Sequence, residues 1–520
     1  MADAVFIGTG HNALACAAIL ADRGWSVEML ERAETPGGAV RTREATLPGF
    51  RHDMGAMNLS LFAGSPFHAR FADRLARHGL AFAPAQDCFA TAFPDGRWFG
   101  VSIDPALTAA RAEAGAPGDG ARWRALLDGF AADAPHIFSV LGTPMAPGPL
   151  MRTAARIWRA RGTAHLAAML RLLLQSPNGF LDETFEGERL RTALAAWGMH
   201  LDFPPDQGGG ALFPYLEAMA NQSFGLVIGK GGAEVVTRAL VGMIEEKGGV
   251  IRTGAEVTGI THAGGRASGV RLADGTKITA DRAVIAGVAP SALPRLTGGS
   301  TGDARYDRGV ATFSHAPGTM MVHLALDGLP DWAAGAELKR FAYVHLAPTR
   351  SAMAMAYAEA RAGMLPREPV LVVGQPTVLD PSRAPAGKHI LWVQVRMVPG
   401  AIQGDAAGQI AARDWPSAKA PMTERVLDIL ESYAPGLQAK MLGQAVQTPA
   451  ELEAENPNLV GGDQICGSHH PWQNFIFRPV RGYADWRTPV RDLYLIGAGT
   501  WPGAGVGAGS GTMLADRLPR

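Results

Sequence analysis

The opening of the chain constrains the fold more than any other stretch. Ala4-Val5-Phe6-Ile7 reads as a short apolar strand, Gly8-Thr9-Gly10-His11-Asn12-Ala13 follows, and a helical pattern runs to about Arg23, where Gly24 supplies a C-terminal stop. Ser26 to Leu30 then reads as a second strand ending at Glu31. Strand, glycine turn, helix and strand make a βαβ opening, which commits this part of the chain to a parallel sheet. In that setting the spacing Gly8-x-Gly10-x-x-Ala13 has a physical task. Gly8 permits the tight turn, Gly10 lets the backbone approach a pyrophosphate, and the small Ala13 allows close helix–strand packing, while the helix N-terminus offers free N–H groups to phosphates. Glu31 is placed to accept hydrogen bonds from a ribose diol. A bland βα turn is the rival reading of such a glycine pattern alone; strand, helix and acid in register favour a dinucleotide.

Further along, a helix starting at Gly231 places Val235, Val236, Ala239, Leu240, Met243 and Ile244 at helical spacing and stops at Lys247-Gly248-Gly249. Four strand-like runs follow, punctuated by Gly264-Gly265 and by the hairpin signal Asp274-Gly275, and the last, Ala283-Val284-Ile285-Ala286, reads as a strand buried on both faces. The C-terminus repeats the opening, with Leu493-Tyr494-Leu495-Ile496 as strand, a glycine-rich loop and a short helix through Met513-Leu514. Residues 80–224 read as helical, and residues 311–455 mix strands (Thr319 to Leu326, Val370 to Val373, Ile390 to Val395) with helices. The expected organisation is a discontinuous nucleotide domain in three pieces, 1–79, 225–310 and 456–520, interleaved with a second domain in two pieces, 80–224 and 311–455.

Composition excludes several functions. Forty-eight basic and 48 acidic residues give zero formal charge, against a nucleic-acid binder. Three cysteines without CxxC spacing disfavour a disulfide framework, a cysteine zinc site and a dithiol redox pair, and no metal is expected. The N-terminus shows no basic segment of a secretory signal, so a cytoplasmic location is expected.

A second glycine pair narrows the dinucleotide. Glu31-Arg32 is followed by Pro36-Gly37-Gly38-Ala39, then Pro48-Gly49-Phe50 and Asp53-Met54-Gly55-Ala56. Asp380-Pro381, Ala384 to His389, Gly461-Gly462-Asp463, Gln473, Arg478-Pro479, and Leu493 to Thr500 with Pro502-Gly503 complete a set spread over the whole chain. By these stretches the sequence resembles the phytoene desaturase-like FAD oxidoreductases of the flavin-containing amine oxidase superfamily, and within them the subgroup of pyridine nucleotide-disulphide oxidoreductase domain-containing protein 2. The resemblance implies a Rossmann-like, glutathione reductase-type FAD-binding domain with an interleaved α+β substrate domain. It implies FAD held by Gly8, Gly10, Ala13, Glu31, Arg32, Gly37, Gly38, Gly55 and Ala56, by the backbone of Val257, and by Gly497, Ala498, Gly499, Gly505 and Val506 of the final loop. For Val257 the plain alternative is a strand core residue, and for the loop a merely flexible segment.

The sequence departs from the family at Trp501, where a polar residue is usual, and at Trp472, where an acid often precedes the glutamine; both changes are expected to make the pocket more apolar. Catalytic candidates are Trp501, His470 and Arg478, with an ordinary loop role open for the His469-His470 pair. The implied activity is desaturation or dehydrogenation of an apolar, carotenoid- or isoprenoid-like substrate, with oxygen or a quinone as electron acceptor. An amine or amino-acid oxidase and a non-catalytic prenyl-binding escort are the alternatives. Leu150 to Gln175 holds five arginines and no acid among Leu, Ile, Met and Trp, a pattern that suits either an anionic membrane surface or core packing, with a break at Gly162-Thr163.

Overall fold

The computed structural model describes residues 2–519. The opening strand Ala2–Ile7 is central in the first sheet, flanked in parallel by Val27–Leu30 and by Lys277–Ala286. Val250–Arg252 extends the parallel order on one side, and Leu493–Leu495 on the other. The strand Lys277–Ala286 serves two arrangements. Its second half lies in the parallel sheet, while Lys277 to Thr279 pairs antiparallel with Arg266–Leu272, which in turn pairs with Val257–Ala263. Because both faces are covered, these strands are apolar without alternation. Phe6, Met29 and Ile285 pack under the helices His11–Asp22, Glu234–Glu245 and Gly509–Arg517. Val5, Leu30 and Val284 pack on the opposite face with Val257 and Val270.

The first and last of those helices touch backbone to backbone. A Cβ on Gly511 would lie 1.9 Å from the Asn12 carbonyl oxygen, so only glycine allows the two ends of the chain to close on each other.

The second sheet has seven strands, in the order Met441–Gln447, Gly318–Leu326, His389–Val398, Val370–Gly374, Tyr343–Leu346, Asp87–Ala92 and Trp98–Ser102. All neighbours are antiparallel except Tyr343–Leu346 with Asp87–Ala92. One face buries Val322, Leu324, Leu391, Val393 and Val395 against the helix Trp415–Tyr433. The other packs on the helices of residues 105–224. The segment 80–224 is therefore not helical throughout: it opens with the strands Phe82–Ala85, Asp87–Ala92 and Trp98–Ser102. Their alanines and buried polar groups hide the period-2 pattern that normally announces a strand. The Arg- and Leu-rich helix Pro147–Leu174 leaves helical geometry at Gly162, φ +80°. Among the described residues, no helix is long and apolar enough to cross a membrane.

Candidate active site

A single cleft of about 1310 Å³ runs between the two sheets. One wall is built at the C-terminal ends of the parallel strands, where a doubly wound sheet presents its ligand crevice. Gly8 turns the chain at φ +87°, a conformation that a side chain would strain. Gly10 is different. Its φ of −61° suits any residue, and a Cβ there would meet no protein atom within 4 Å, because it would project into open space. The helix that starts after it has no side-chain cap and no acid in its first turn, so its N–H groups and positive dipole end remain available to an anion.

Glu31 closes this corner. Its Oε2 accepts from the Thr9 N–H (3.0 Å) and Thr9 Oγ1 (2.6 Å), and its Oε1 accepts from the Ala33 N–H (3.0 Å). A carboxylate has about four acceptor positions, so one stays open toward the cleft. Arg32, also in the wall, donates to the carbonyls of Ala454 and Glu455. Ala13, Gly38, Gly55, Ala56 and Val257 line the same wall, as do Gly497, Ala498, Gly505 and Val506 of the final loop.

Two expected cofactor residues stand behind it. The Gly37 N–H donates to Thr9 Oγ1 (3.2 Å) and braces the first turn, and Gly499 packs on Pro290. His11 carried no expectation from the sequence. It lines the cleft, its Nε2 lies 3.2 Å from the Gly505 carbonyl, and burial lowers its pKa to about 4. A neutral imidazole thus ties the first helix to the final loop.

The catalytic candidates fare differently. Trp501 lines the cleft, but its indole N–H donates to the Thr143 carbonyl (3.0 Å) and its ring packs on Phe475, so it shapes the wall and offers no free polar group. His470 lies outside the lining, with Nε2 2.7 Å from the Asp202 carbonyl and its ring against Phe203. Arg478 is fully buried behind the wall and donates to the carbonyls of Ser468 (2.8 Å) and Ala498 (2.7 Å). It braces the final loop, and burial lowers its pKa to about 10. Trp472 is 59% exposed and does not line the cleft, so the expected gain in apolar character comes from Trp501 alone.

The opposite wall came with no motif. Tyr343, Trp392, Gln394 and Arg396 reach it from the second sheet, and His200, Glu217 and Gln464 from other elements. His200 Nε2 lies 3.2 Å from His345 Nε2, and Trp197 packs tilted on the first ring and edge-on to the second. Burial drives the pKa of His200 well down and that of His345 to about 3, and raises Glu217 to about 7. These residues are scattered between positions 197 and 464, beyond the reach of any local pattern. The one signal was the alternation Trp392-x-Gln394-x-Arg396, which begins inside the strand expected over Ile390 to Val395 and runs one residue past it. Among the described residues, no group of three or more His, Cys, Asp or Glu is arranged to hold a metal.

Known proteins resemble this architecture along its whole length. The chain is 26% identical to pyridine nucleotide-disulfide oxidoreductase domain-containing protein 2 of Mus musculus, over 99% of this chain and 92% of that protein. It is 24% identical to a neurosporene-forming phytoene desaturase of Cereibacter sphaeroides, over 99% and 94%. The cyclohexylamine oxidase of Brevibacterium oxydans shares the fold with a TM-score of 0.57, at 17% identity over 100% of both chains. The family model of the flavin-containing amine oxidoreductases matches residues 14–405. With three quarters of its length matched and a cleft whose glycine turn, uncapped helix and acid fit a dinucleotide, the chain belongs to the flavin-containing amine oxidoreductase family and is a flavin-dependent oxidoreductase with FAD as its cofactor.

Proposed function

We propose that the protein dehydrogenates an apolar, isoprenoid- or carotenoid-like substrate held between FAD and the second sheet. The observation that carries this reading is the continuity of the cleft: past the glycine wall that would hold FAD it runs on, lined by Phe138, Leu212, Phe213 and Leu216. The likeness to a phytoene desaturase supports the same substrate class. In this reading the first sheet with its helices is a Rossmann-type domain, formed by residues 1–79, 225–310 and 456–520, and the rest is the substrate domain.

Gly8, Gly10 and the first helix would hold the pyrophosphate, Glu31 the ribose, the Val257 backbone the adenine, and the loop from Gly497 to Val506 the flavin end. When bound, FAD supplies the two-electron chemistry, accepting a hydride from a substrate C–H bond with oxygen or a quinone as final acceptor. The protein orients the substrate and excludes water; Trp501 and Phe475 do so as wall. Catalysis therefore asks for few dedicated side chains.

A second reading, amine oxidation on the same scaffold, draws on one feature, the Glu217 carboxyl in the cleft, which could face an ammonium group. Anaerobic mixing of the FAD-loaded protein with a polyene panel and an amine panel separates the two. Bleaching of the flavin by polyenes only is expected, and bleaching by amines only would replace the first reading with the second.

We also propose peripheral contact with an anionic membrane. The helix Pro147–Leu174 exposes Met151, Trp158, Leu170 and Leu174 among five arginines, and Phe138 and Phe224, which line the cleft, are exposed as well.

A further inference from the structure

The cleft contains a cation that, among the described residues, no acid contacts. Arg396 lies on the interior strand His389–Val398, whose Leu391, Val393 and Val395 are buried on the far face; the alternate residues Trp392, Gln394 and Arg396 line the cleft. The guanidinium reaches only His200, with Nη2 3.3 Å from Nδ1 and Nη1 3.4 Å from the carbonyl oxygen. Among the described residues its Nε–H has no partner and it forms no ion pair. Burial lowers its pKa to about 10, which leaves it charged at neutral pH.

Among the described residues, no acid pairs with it directly. His200 and His345 are held neutral, and the carboxyl of Glu217 titrates only near 7. Asp463, the acid whose field Arg396 feels, is engaged by the N–H groups of Ala316 (3.1 Å), Ile465 (2.9 Å) and Gly467 (2.6 Å) and by His315 Nδ1 (3.1 Å). A second donor is also idle. Gln464 accepts from Gln394 through Oε1, and its buried Nε2 has no partner. A partly buried cation with an idle Nε–H and a buried amide N–H without an acceptor are unfavourable until a ligand completes them.

We propose that Arg396 and Gln464 clamp a carboxylate on the otherwise apolar substrate, so that the molecule oxidised is an acid with a long hydrocarbon body. A single cation matches a monoanion better than a diphosphate, which would call for several. The clamp deepens the apolar-substrate reading given above and rests on it. Guanidinium geometry makes Arg396 a binding residue with a preference for planar, bidentate acceptors.

The test uses the FAD-loaded protein with geranylgeranoic acid, its methyl ester and geranylgeranylamine. Binding is followed by quenching of tryptophan fluorescence, since Trp197 and Trp392 line the same cleft. Flavin content serves as the folding control. The parent is expected to bind the acid roughly 10- to 100-fold more tightly than the ester, the range of one charge-assisted hydrogen-bonded contact. R396Q should bind both equally, and R396K should keep part of the preference. Equal binding of acid and ester by the parent overturns the clamp while leaving the apolar reading intact, as does a preference that survives in R396Q. Tightest binding of the amine overturns the clamp in favour of amine oxidation. Binding of none of the three overturns both the clamp and the apolar reading.

Discussion

In the proposed binding mode a side chain at Gly10 and the cofactor compete for the same volume. The backbone there is unstrained and no protein atom lies within 4 Å of where a methyl group would project, so what forbids a side chain is the ligand and not the fold. G10V is accordingly expected to fold with the parent's circular dichroism and to lose FAD affinity by roughly 100-fold, the scale of a steric clash at a phosphate-binding turn; flavin content after desalting reads it. Glu217 gives a second expectation at this scale. An unfolded glutamate titrates near 4.3 and the folded one near 7, so between these values the native chain binds more protons than the unfolded chain. The carboxyl thus contributes stability at low pH that is lost as pH rises through about 7. E217Q, always neutral, should melt with the parent at about pH 4 and a few degrees above it at about pH 8, by thermal scans at both. Gly10 is legible in the sequence because its neighbours along the chain define its task. Glu217 and Arg396 are not, because their meaning comes from burial and from neighbours distant in the chain, His200 lying 196 residues before Arg396.

Among the elements, the helix Pro147–Leu174 is the one whose surface is hardest to explain within the monomer. Five arginines and four exposed large apolar side chains share it, and only Thr153 and Ile157 are buried. Each arginine near an anionic surface contributes about 1 kcal/mol, screened by salt. Co-sedimentation with phosphatidylserine-containing vesicles is expected at low salt, and replacing Arg152, Arg156 and Arg159 by Gln should cut it by about 100-fold; equal sedimentation of the variant would make the helix an ordinary solvated face. Elements governed by short-range chemistry can be read from the sequence, among them the βαβ opening, the hairpin at Asp274-Gly275 and the break at Gly162. The strands Asp87–Ala92, Tyr343–Leu346 and Met441–Gln447 cannot. Their residues are chosen by the sheets they complete, and the parallel pairing of Tyr343–Leu346 with Asp87–Ala92 spans some 250 residues.

Over the whole molecule, the two sheets divide one cleft into a wall with a nucleotide signature and a wall without any. The first is readable because a dinucleotide imposes the same turn, helix and acid wherever it binds. The second is not, since an apolar substrate asks only for shape and a few polar groups, and these can come from anywhere in the fold. The proposed dehydrogenation uses both walls at once. Its most direct test is anaerobic titration of the FAD-loaded protein with long-chain polyenes, watching the flavin absorption. Stoichiometric bleaching by a polyene, with the substrate recovered short of one hydrogen pair, is the predicted result. A flavin that stays oxidised in the presence of every polyene and is bleached by a simple amine would contradict it.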